Sequence, residues 1–111
     1  MSQALSIVVF TRDLDRYSVN MLQELQRMGH GVHVVVEPPS GVHSRDWSQD
    51  VAIVDRAKLK GRFDKAAASR YADIVDRYKA DVCLCYTSRA LSVALTARRH
   101  HKFKTPIVGT R

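Results

Sequence analysis

The sequence has few of the glycines that build cofactor and phosphate loops. Only 5 of its 111 residues are glycine, and none of them falls in FTRDLDRYS, the stretch that ends the first apolar run. A dinucleotide-binding fingerprint or a P-loop needs several glycines at that place, because backbone amides must approach the phosphates closely. The sequence therefore argues against NAD binding and against P-loop chemistry.

Cysteine is also scarce. Its 2 copies, Cys83 and Cys85, lie in one apolar run. Two positions apart on a strand, they share a face and make poor disulfide partners, so we expect buried free thiols in a reducing compartment. A lone Cys-x-Cys is too little for a metal site, and none of the 5 histidines shows metal-ligand spacing. The sequence predicts no metal and no cofactor.

Long apolar runs are missing as well. No window approaches the roughly 18 apolar residues of a membrane span. In the opening MSQALSIVVFTRD, charged residues follow a short apolar run, and the stretch lacks the pattern of a secretion signal. We therefore expect a cytoplasmic protein. A peripheral contact with the inner face of the membrane stays an open alternative.

The sequence does contain a substantial apolar fraction and a surplus of basic residues. Hydrophobic residues make up 45% of the chain, enough for a single globular domain over residues 1–111. Lys and Arg total 18 against 11 Asp and Glu, a formal net charge of +7. Such a surface favours anionic partners such as nucleic acid, anionic lipid or phosphorylated small molecules. The basic residues are scattered without interleaved aromatics, so no specific nucleic-acid binding is predicted.

Short apolar runs alternate with helical periodicities along the chain. The runs predict strands, and the periodicities predict helices between them. Strand–helix–strand units of about thirty residues form right-handed crossovers. The alternation predicts a three-layer α/β/α domain with a mainly parallel sheet of about five strands. The predicted strands are 6–10, 31–37, 51–54, 81–86 and 106–110, and the helices are 14–28, 63–79 and 88–102.

Polar residues mark the ends of these elements. Asp13 is the predicted N-cap of the first helix and Gly29 its C-terminal stop. Thr87 or Ser88 caps the third helix. The polar segment 38–50 is a loop long enough for a role in binding. Its Trp47 is either a binding platform or a residue packed over the edge of the core.

Arginines and hydroxyls follow three of the predicted strands. The carboxyl ends of parallel strands meet at one edge of the sheet, where ligands bind. Guanidinium groups, hydroxyls and helix N-terminal amides hold phosphate or carboxylate. We therefore predict an anion site at this edge, the alternative being that the arginines are only solvated. Its predicted residues are Arg12, Asp13, Thr87, Ser88, Arg89 and Arg111.

Two segments carry a family resemblance. In residues 6–38 a helix ends in Leu-x-x-x-Gly-His at Leu25–His30, before a valine-rich strand. In residues 71–111 a helix precedes an Asp-led strand, a hydroxyl-bearing turn and a Pro-Ile-Val strand. Together these segments resemble the acceptor-side, Rossmann-like domain of GT-B glycosyltransferases of the glycogen-synthase-like, lipopolysaccharide-building kind. The resemblance leaves out only the middle of the chain, residues 38–62.

The resemblance implies a two-domain enzyme without a cofactor. The N-terminal domain of such enzymes receives a small-molecule or glycolipid acceptor. A C-terminal domain binds the nucleotide-sugar donor, and the sugar is transferred in the cleft between them. This chain matches only the acceptor side, so we expect the N-terminal part of a longer enzyme, inactive without its donor domain.

One departure from the family concerns the first loop. Many relatives carry a glycine pair there, whereas this chain has the bulkier, charged stretch Arg12–Arg16. By position, Arg12 and Asp13 line the cleft from this loop, and Thr87 to Arg89 line it from the fourth strand. The resemblance names no catalytic base. Asp13, Glu37 and His43 are candidates on their chemistry alone.

Two other interpretations stay open. A stand-alone flavodoxin-like module could bind an anionic small molecule through the strand-end arginines. A receiver-like signalling domain is suggested by Asp55 and Thr87, which close the third and fourth strands. Against the receiver, Thr11 and Arg12 stand where an acidic pair is expected, and no lysine follows the fifth strand.

Overall fold

Strands and helices alternate in the described part of the chain, as the sequence predicts, except that no helix is described between the strands Gly31–Val36 and Ile53–Arg56. The computed structural model describes residues 4–37, 47–61 and 64–109. Within these ranges no helix is long and apolar enough to cross a membrane. The elements in chain order are β1 (Ser6–Thr11), α1 (Arg16–Arg27), β2 (Gly31–Val36), β3 (Ile53–Arg56), α2 (Lys65–Arg77), β4 (Val82–Cys85), α3 (Ser88–His101) and β5 (Ile107–Gly109).

The five strands form one parallel sheet in the order β3-β2-β1-β4-β5. The chain moves outward from β1 through β2 to β3 and then returns past β1 to β4, so the crossover direction reverses between β1 and β4. This order is that of the Rossmann fold, which confirms the predicted Rossmann-like domain. In flavodoxin-like and receiver-like domains the first strand lies between the second and the third. Both alternatives are therefore wrong at the level of topology.

The central strand β1 contributes side chains to both faces of the sheet. Ile7 and Val9 pack on the side of α1, whereas Val8 and Phe10 pack on the side of α2 and α3. The Phe10 ring stacks on that of Tyr71 in α2, with the ring centroids 3.8 Å apart. Burial on both faces explains the nearly continuous apolar runs of the strands. The helices therefore form the outer layers of the predicted α/β/α sandwich.

The first helix begins later than predicted. Asp15, not Asp13, is the N-cap, and its carboxylate accepts from the amide of Ser18 at 2.7 Å. Asp13 is held in the preceding turn because its carbonyl accepts from the Thr11 hydroxyl at 2.8 Å. The buried face of the helix also differs from the one that its apolar spacing predicts, which consists of Leu14, Ser18, Met21, Leu22, Leu25 and Met28. Its buried residues are Val19 and Leu22, whereas Met21 and Met28 are 43% and 63% exposed.

The loop after β2 returns to the core at Trp47, which is only 6% exposed. Its indole nitrogen donates to the carbonyl of Leu14 at 3.1 Å, and the guanidinium of Arg16 lies 4.7 Å from the ring centroid. Trp47 therefore packs over the edge of the core and is not a binding platform. Val51, whose amide bonds to the Trp47 carbonyl, is buried in the same turn. This turn displaces β3 to Ile53–Arg56, two residues beyond its predicted start.

Both cysteines are free and buried, as predicted. Cys83 and Cys85 lie in β4 and pack in the core on the α2 and α3 side. Burial raises the pKa of Cys83 to about 11 and that of Cys85 to about 12. The thiols therefore stay protonated at neutral pH and act as small core residues.

A residue in the left-handed backbone conformation follows the last residues of each helix. Gly29 has a φ of 100° and its amide donates to the carbonyl of Gln26 at 3.0 Å, so the predicted stop of α1 is confirmed. Lys79 follows α2 in the same way with a φ of 48°, and Lys102 ends α3 with a φ of 55°. A side chain in this region costs about 1 kcal/mol relative to glycine.

The His33 ring is half-buried against a neighbouring ring. It stacks on Tyr78 with the centroids 4.1 Å apart, and within the described ranges its Nδ1 has no hydrogen-bond partner. Burial lowers the pKa of His33 below its ordinary value. The folded protein therefore favours the neutral imidazole.

We predict that Lys79→Gly stabilises the fold by about 1 kcal/mol, because glycine adopts the left-handed conformation without strain. The midpoint of thermal unfolding, followed by circular dichroism, should rise by about 4 °C. Lys65→Gly is the matched control, since it removes the same charge in the first turn of α2 and should not raise the midpoint. A lower midpoint for Lys79→Gly would contradict the left-handed conformation of Lys79.

We also predict that acid weakens the fold through His33. Its pKa is lower in the folded state, so its contribution is complete above pH 6.5 and is lost as the pH falls towards the folded-state pKa. His33→Phe should therefore show a flatter dependence of the urea midpoint between about pH 7 and about pH 5. His100→Phe, at an exposed position, should keep the wild-type slope. Equal slopes in all three proteins would refute the role of His33.

Candidate functional site

A tight polar turn follows β1. Thr11 is buried and its hydroxyl bonds to the Asp13 carbonyl, while the Asp13 carboxylate accepts from the amide of Leu14 at 2.8 Å. These bonds fix the backbone around Arg12, whose side chain is exposed. The turn therefore presents a guanidinium at the carboxyl edge of the sheet without using glycine.

The chain after β4 turns directly into α3 beside this first turn. The amide of Tyr86 donates to the carbonyl of Phe10 at 3.0 Å, which holds the two turns together. Thr87 is the N-cap, as predicted, and its hydroxyl oxygen accepts from the amide of Ala90 at 3.1 Å. Ser88 then begins the helix, and the first amides of a helix have no partner within it. The positive end of the α3 dipole therefore lies at the same edge as Arg12.

These two turns and the end of β2 enclose a cavity of about 260 Å³. Its third side is Glu37, whose amide donates to the carbonyl of Thr11 at 3.2 Å. The cavity lies where the crossover direction reverses, the place at which Rossmann-like sheets bind ligands. Its lining residues are Arg12, Glu37, Thr87, Ser88 and Arg89.

The charge in this cavity is positive on balance. Arg12 and Arg89 contribute two guanidinium groups, and the N-terminus of α3 adds about half a positive charge. The first turn of α3 contains no acidic residue, so Glu37 is the carboxylate in the lining. A guanidinium binds phosphate or carboxylate with paired hydrogen bonds, and a carboxylate accepts from hydroxyl groups. The arrangement suits an anionic ligand that also carries hydroxyls.

A second cavity of about 530 Å³ adjoins the first along Arg12 and Thr87 and extends towards α1. Tyr17 and Met21, one helical turn apart, form its outer wall and are 79% and 43% exposed. We call the two cavities together the cleft. It combines a charged half with a half walled by an aromatic ring and a thioether. The second cavity is lined by Thr11, Arg12, Asp13, Asp15, Tyr17, Ser18, Met21, Tyr86 and Thr87.

Tyr86 brings an unpaired polar atom to the cleft. Its hydroxyl is buried and has no hydrogen-bond partner in the described part of the chain. Burial raises the pKa of Tyr86, and the negative charge of Asp15 adds to this effect. The phenol therefore stays protonated at neutral pH and is available as a hydrogen-bond donor.

The structure brings together every predicted site residue that it describes. Arg12, Thr87, Ser88 and Arg89 line the charged half of the cleft, and Asp13 lines the other half. The sixth predicted residue, Arg111, lies outside the described residues. So does His43, one of the candidate bases, whereas the other two line the cleft.

Several residues of the cleft were not predicted. The sequence predicts Glu37 as a candidate base at a strand end but not as a residue of the anion site, because only the register of β2 against β1 brings it beside Arg12. Tyr17 and Met21 lie four residues apart in α1. This spacing is the sequence signal that places both side chains on one face of the helix. The apolar spacing of the helix instead predicts Met21 on the buried face. The sequence predicts Tyr86 only as the last residue of the strand 81–86.

The family model described as Glycosyltransferase Family 4 matches residues 14–111. The match includes the β4–α3 turn of the cleft and begins directly after the Arg12–Asp13 turn. No curated protein matches the chain.

Proposed function

The chain belongs to Glycosyltransferase Family 4, and from this premise we propose that it is the acceptor-side domain of an enzyme that transfers a sugar from a nucleotide-sugar. In this proposal the cleft holds the acceptor. A C-terminal domain binds the donor, in the two-domain GT-B arrangement. The acceptor is an anionic glycolipid or polysaccharide of the cell envelope, as for glycogen-synthase-like and lipopolysaccharide-type enzymes, and the enzyme works on the cytoplasmic side of the membrane.

The observation that carries the proposal is the meeting of Arg12, Glu37 and Arg89 at the N-terminus of α3. The two arginines bind the phosphate or carboxylate of the acceptor. Glu37 accepts a hydrogen bond from an acceptor hydroxyl and so orients it towards the donor. Fixing the hydroxyl in this way reduces the entropy that the transfer step must lose.

The other half of the cleft suits the less polar part of the acceptor. Tyr17 and Met21 offer apolar surface against which a sugar ring or the start of a lipid chain packs. The unpaired hydroxyl of Tyr86 becomes a donor to the acceptor once the local packing opens. The two halves together distinguish an anionic glycan from a free phosphate.

In this proposal the groups that bind the nucleotide-sugar donor do not lie on this chain. The nucleotide-sugar supplies the activated sugar. The bond between the sugar and the nucleoside diphosphate breaks as the acceptor oxygen forms the new glycosidic bond, and the acceptor hydroxyl gives up its proton. The first loop, Arg12–Arg16, contains no glycine through which backbone amides could approach that diphosphate. The proposal therefore gives the donor phosphates to the second domain.

We predict that Arg12→Ala and Arg89→Ala each weaken binding of a phosphorylated glycolipid-core analogue about 10- to 100-fold. This follows from the roughly 1.5–3 kcal/mol that a hydrogen bond to a charged group contributes. Calorimetric titration measures the affinity. Arg99→Ala is the matched control, since it removes the same charge at the far end of α3. Unchanged affinity in both site variants would place the acceptor elsewhere.

We predict further that the 111-residue chain alone transfers no sugar. Nucleotide-sugars and the same acceptor analogue are incubated with the folded chain, and mass spectrometry detects any glycosylated product. The chain should bind the analogue and leave it unmodified, because the groups that activate the donor are on the other domain. Sugar transfer by the isolated chain would contradict this division of roles.

A further inference from the structure

A second cluster of positive charge lies between β3 and α2, outside the cleft. The stretch 56–65 reads RAKLKGRFDK and contains five basic residues and one acidic residue. It follows β3, so it lies at the carboxyl edge of the sheet, the same edge as the cleft. Within residues 56–61, the side chains of Arg56, Lys58 and Lys60 are exposed. We call these three residues the basic strap.

The basic strap is held in place by the residues that alternate with its cations. Ala57 and Leu59 are 2% and 4% exposed and pack in the core on the side of α2 and α3. The amide of Ala57 donates to the carbonyl of Val36 at 2.9 Å. The amide of Lys60 donates to the Asp64 carboxylate at 2.9 Å. The backbone of the strap is therefore fixed at both ends, and a ligand that binds there loses little entropy in ordering it.

Two acidic residues lie beside the basic strap, and both have partners of their own. The Asp55 carboxylate accepts two hydrogen bonds from the guanidinium of Arg70, at 3.1 and 2.5 Å. Asp64 is the N-cap of α2, and hydrogen bonds from the amides of Ala67 and Lys60 lower the pKa of its carboxyl. Asp55 and Arg70 neutralise each other, so the charge of Asp64 alone stands against the three cations. The strap stays positive on balance.

The register of the sheet sets the distance between the basic strap and the cleft. Thr11 pairs with Val36, and Val36 pairs with Arg56. Neighbouring strands are about 4.8 Å apart, so Arg56 lies roughly 10 Å from Thr11, the residue before Arg12 of the cleft. Glu37 follows the strand between them and lines the cleft. One ligand can therefore reach both places if it carries two anionic groups about 10 Å apart.

The surroundings of the strap favour a glycan over a lipid surface or a nucleic acid. Residues 53–61 expose no large apolar side chain that could enter a bilayer. They also contain no aromatic ring on which a base could stack. An anionic glycan needs neither contact, because its charged groups bind cations through charge-assisted hydrogen bonds.

We propose that the basic strap binds a second anionic group of the acceptor, so that the acceptor is a glycan with at least two phosphates or carboxylates. This inference rests on the proposed function, because it takes the cleft as the acceptor site. The first anionic group binds Arg12 and Arg89. The second binds Lys58 and Lys60, and the sugar between them passes over Glu37. The acceptor thus lies along the carboxyl edge of the sheet, from β4 towards β3.

The test compares two probes that differ by one phosphate, fructose 6-phosphate and fructose 1,6-bisphosphate. Calorimetric titration of the 111-residue chain at constant ionic strength measures both affinities. The bisphosphate should bind about 10-fold more tightly, a difference typical of two exposed ion pairs. The double variant Lys58→Gln/Lys60→Gln should lose this preference and keep its affinity for the monophosphate, which contacts only the cleft. Its thermal midpoint should match that of the wild type, because both side chains are exposed.

Two controls separate the basic strap from the general positive charge. Lys102→Gln/Lys104→Gln removes two exposed lysines at the same Lys-x-Lys spacing, at the opposite edge of the sheet, and should keep the preference for the bisphosphate. Lys58→Arg/Lys60→Arg keeps the charge of the strap and should keep the preference as well. Equal loss in the Lys102/Lys104 pair would overturn the proposal, since net charge would then suffice.

Three further outcomes would count against the basic strap as an acceptor site. One is equal affinity of the wild type for the two probes. Another is an equal loss of affinity for both probes in the Lys58/Lys60 variant, which would indicate general attraction of anions. The third is sedimentation with phosphatidylglycerol vesicles that depends on Lys58 and Lys60 while the bisphosphate is not preferred, which would assign the strap to a lipid surface.

The same titrations keep this proposal apart from the proposed function. Arg12→Ala/Arg89→Ala should lower the affinity for the monophosphate, because both guanidinium groups lie in the cleft. Unchanged affinity in that variant would contradict the proposed acceptor site. The ratio of the two affinities reports on the strap alone, so a lost ratio with intact binding of the monophosphate would refute only the inference drawn here.

Discussion

The hydrogen bonding of β1 between β2 and β4 is the constraint on which the rest of the structure depends. Its register places Thr11 beside Val36 and Phe10 beside Cys85. Because all three strands are parallel, their carboxyl ends open at the same edge. Arg12 and Glu37 follow one position after the pair Thr11–Val36, and Thr87 follows two positions after Cys85. The cleft is therefore fixed by backbone pairing in the centre of the sheet, and its loops take their positions without glycine.

The same constraint explains how opposite charges share the cleft. The carboxylate beside two guanidinium groups neutralises half of their charge, and the N-terminus of α3 adds to the positive charge that remains. Thr87 caps one of the first amides of the helix, that of Ala90, which leaves the amides of Ser88 and Arg89 without a partner inside the helix. The positive charge of the cleft thus depends on the peptide dipoles of α3 as well as on side chains.

The sequence allowed much of this to be predicted, and physical reasons account for the rest. Apolar runs indicated the strands because burial on both faces requires them, and parallel strands must open at one edge, which placed Arg12, Thr87 and Arg89 together. Glu37 could not be placed, since the register between β2 and β1 depends on packing over the whole sheet. The start of α1 was also hidden, because its cap, Asp15, competes with an equally suitable aspartate two residues earlier.

The N-cap of α3 is also a wall of the cleft. The Thr87 hydroxyl accepts from the amide of Ala90, and the same residue lines both cavities. Loss of this hydroxyl would loosen the first turn of the helix and move Ser88 and Arg89 with it. The stability of the helix start and the shape of the cleft therefore cannot be changed independently at this position.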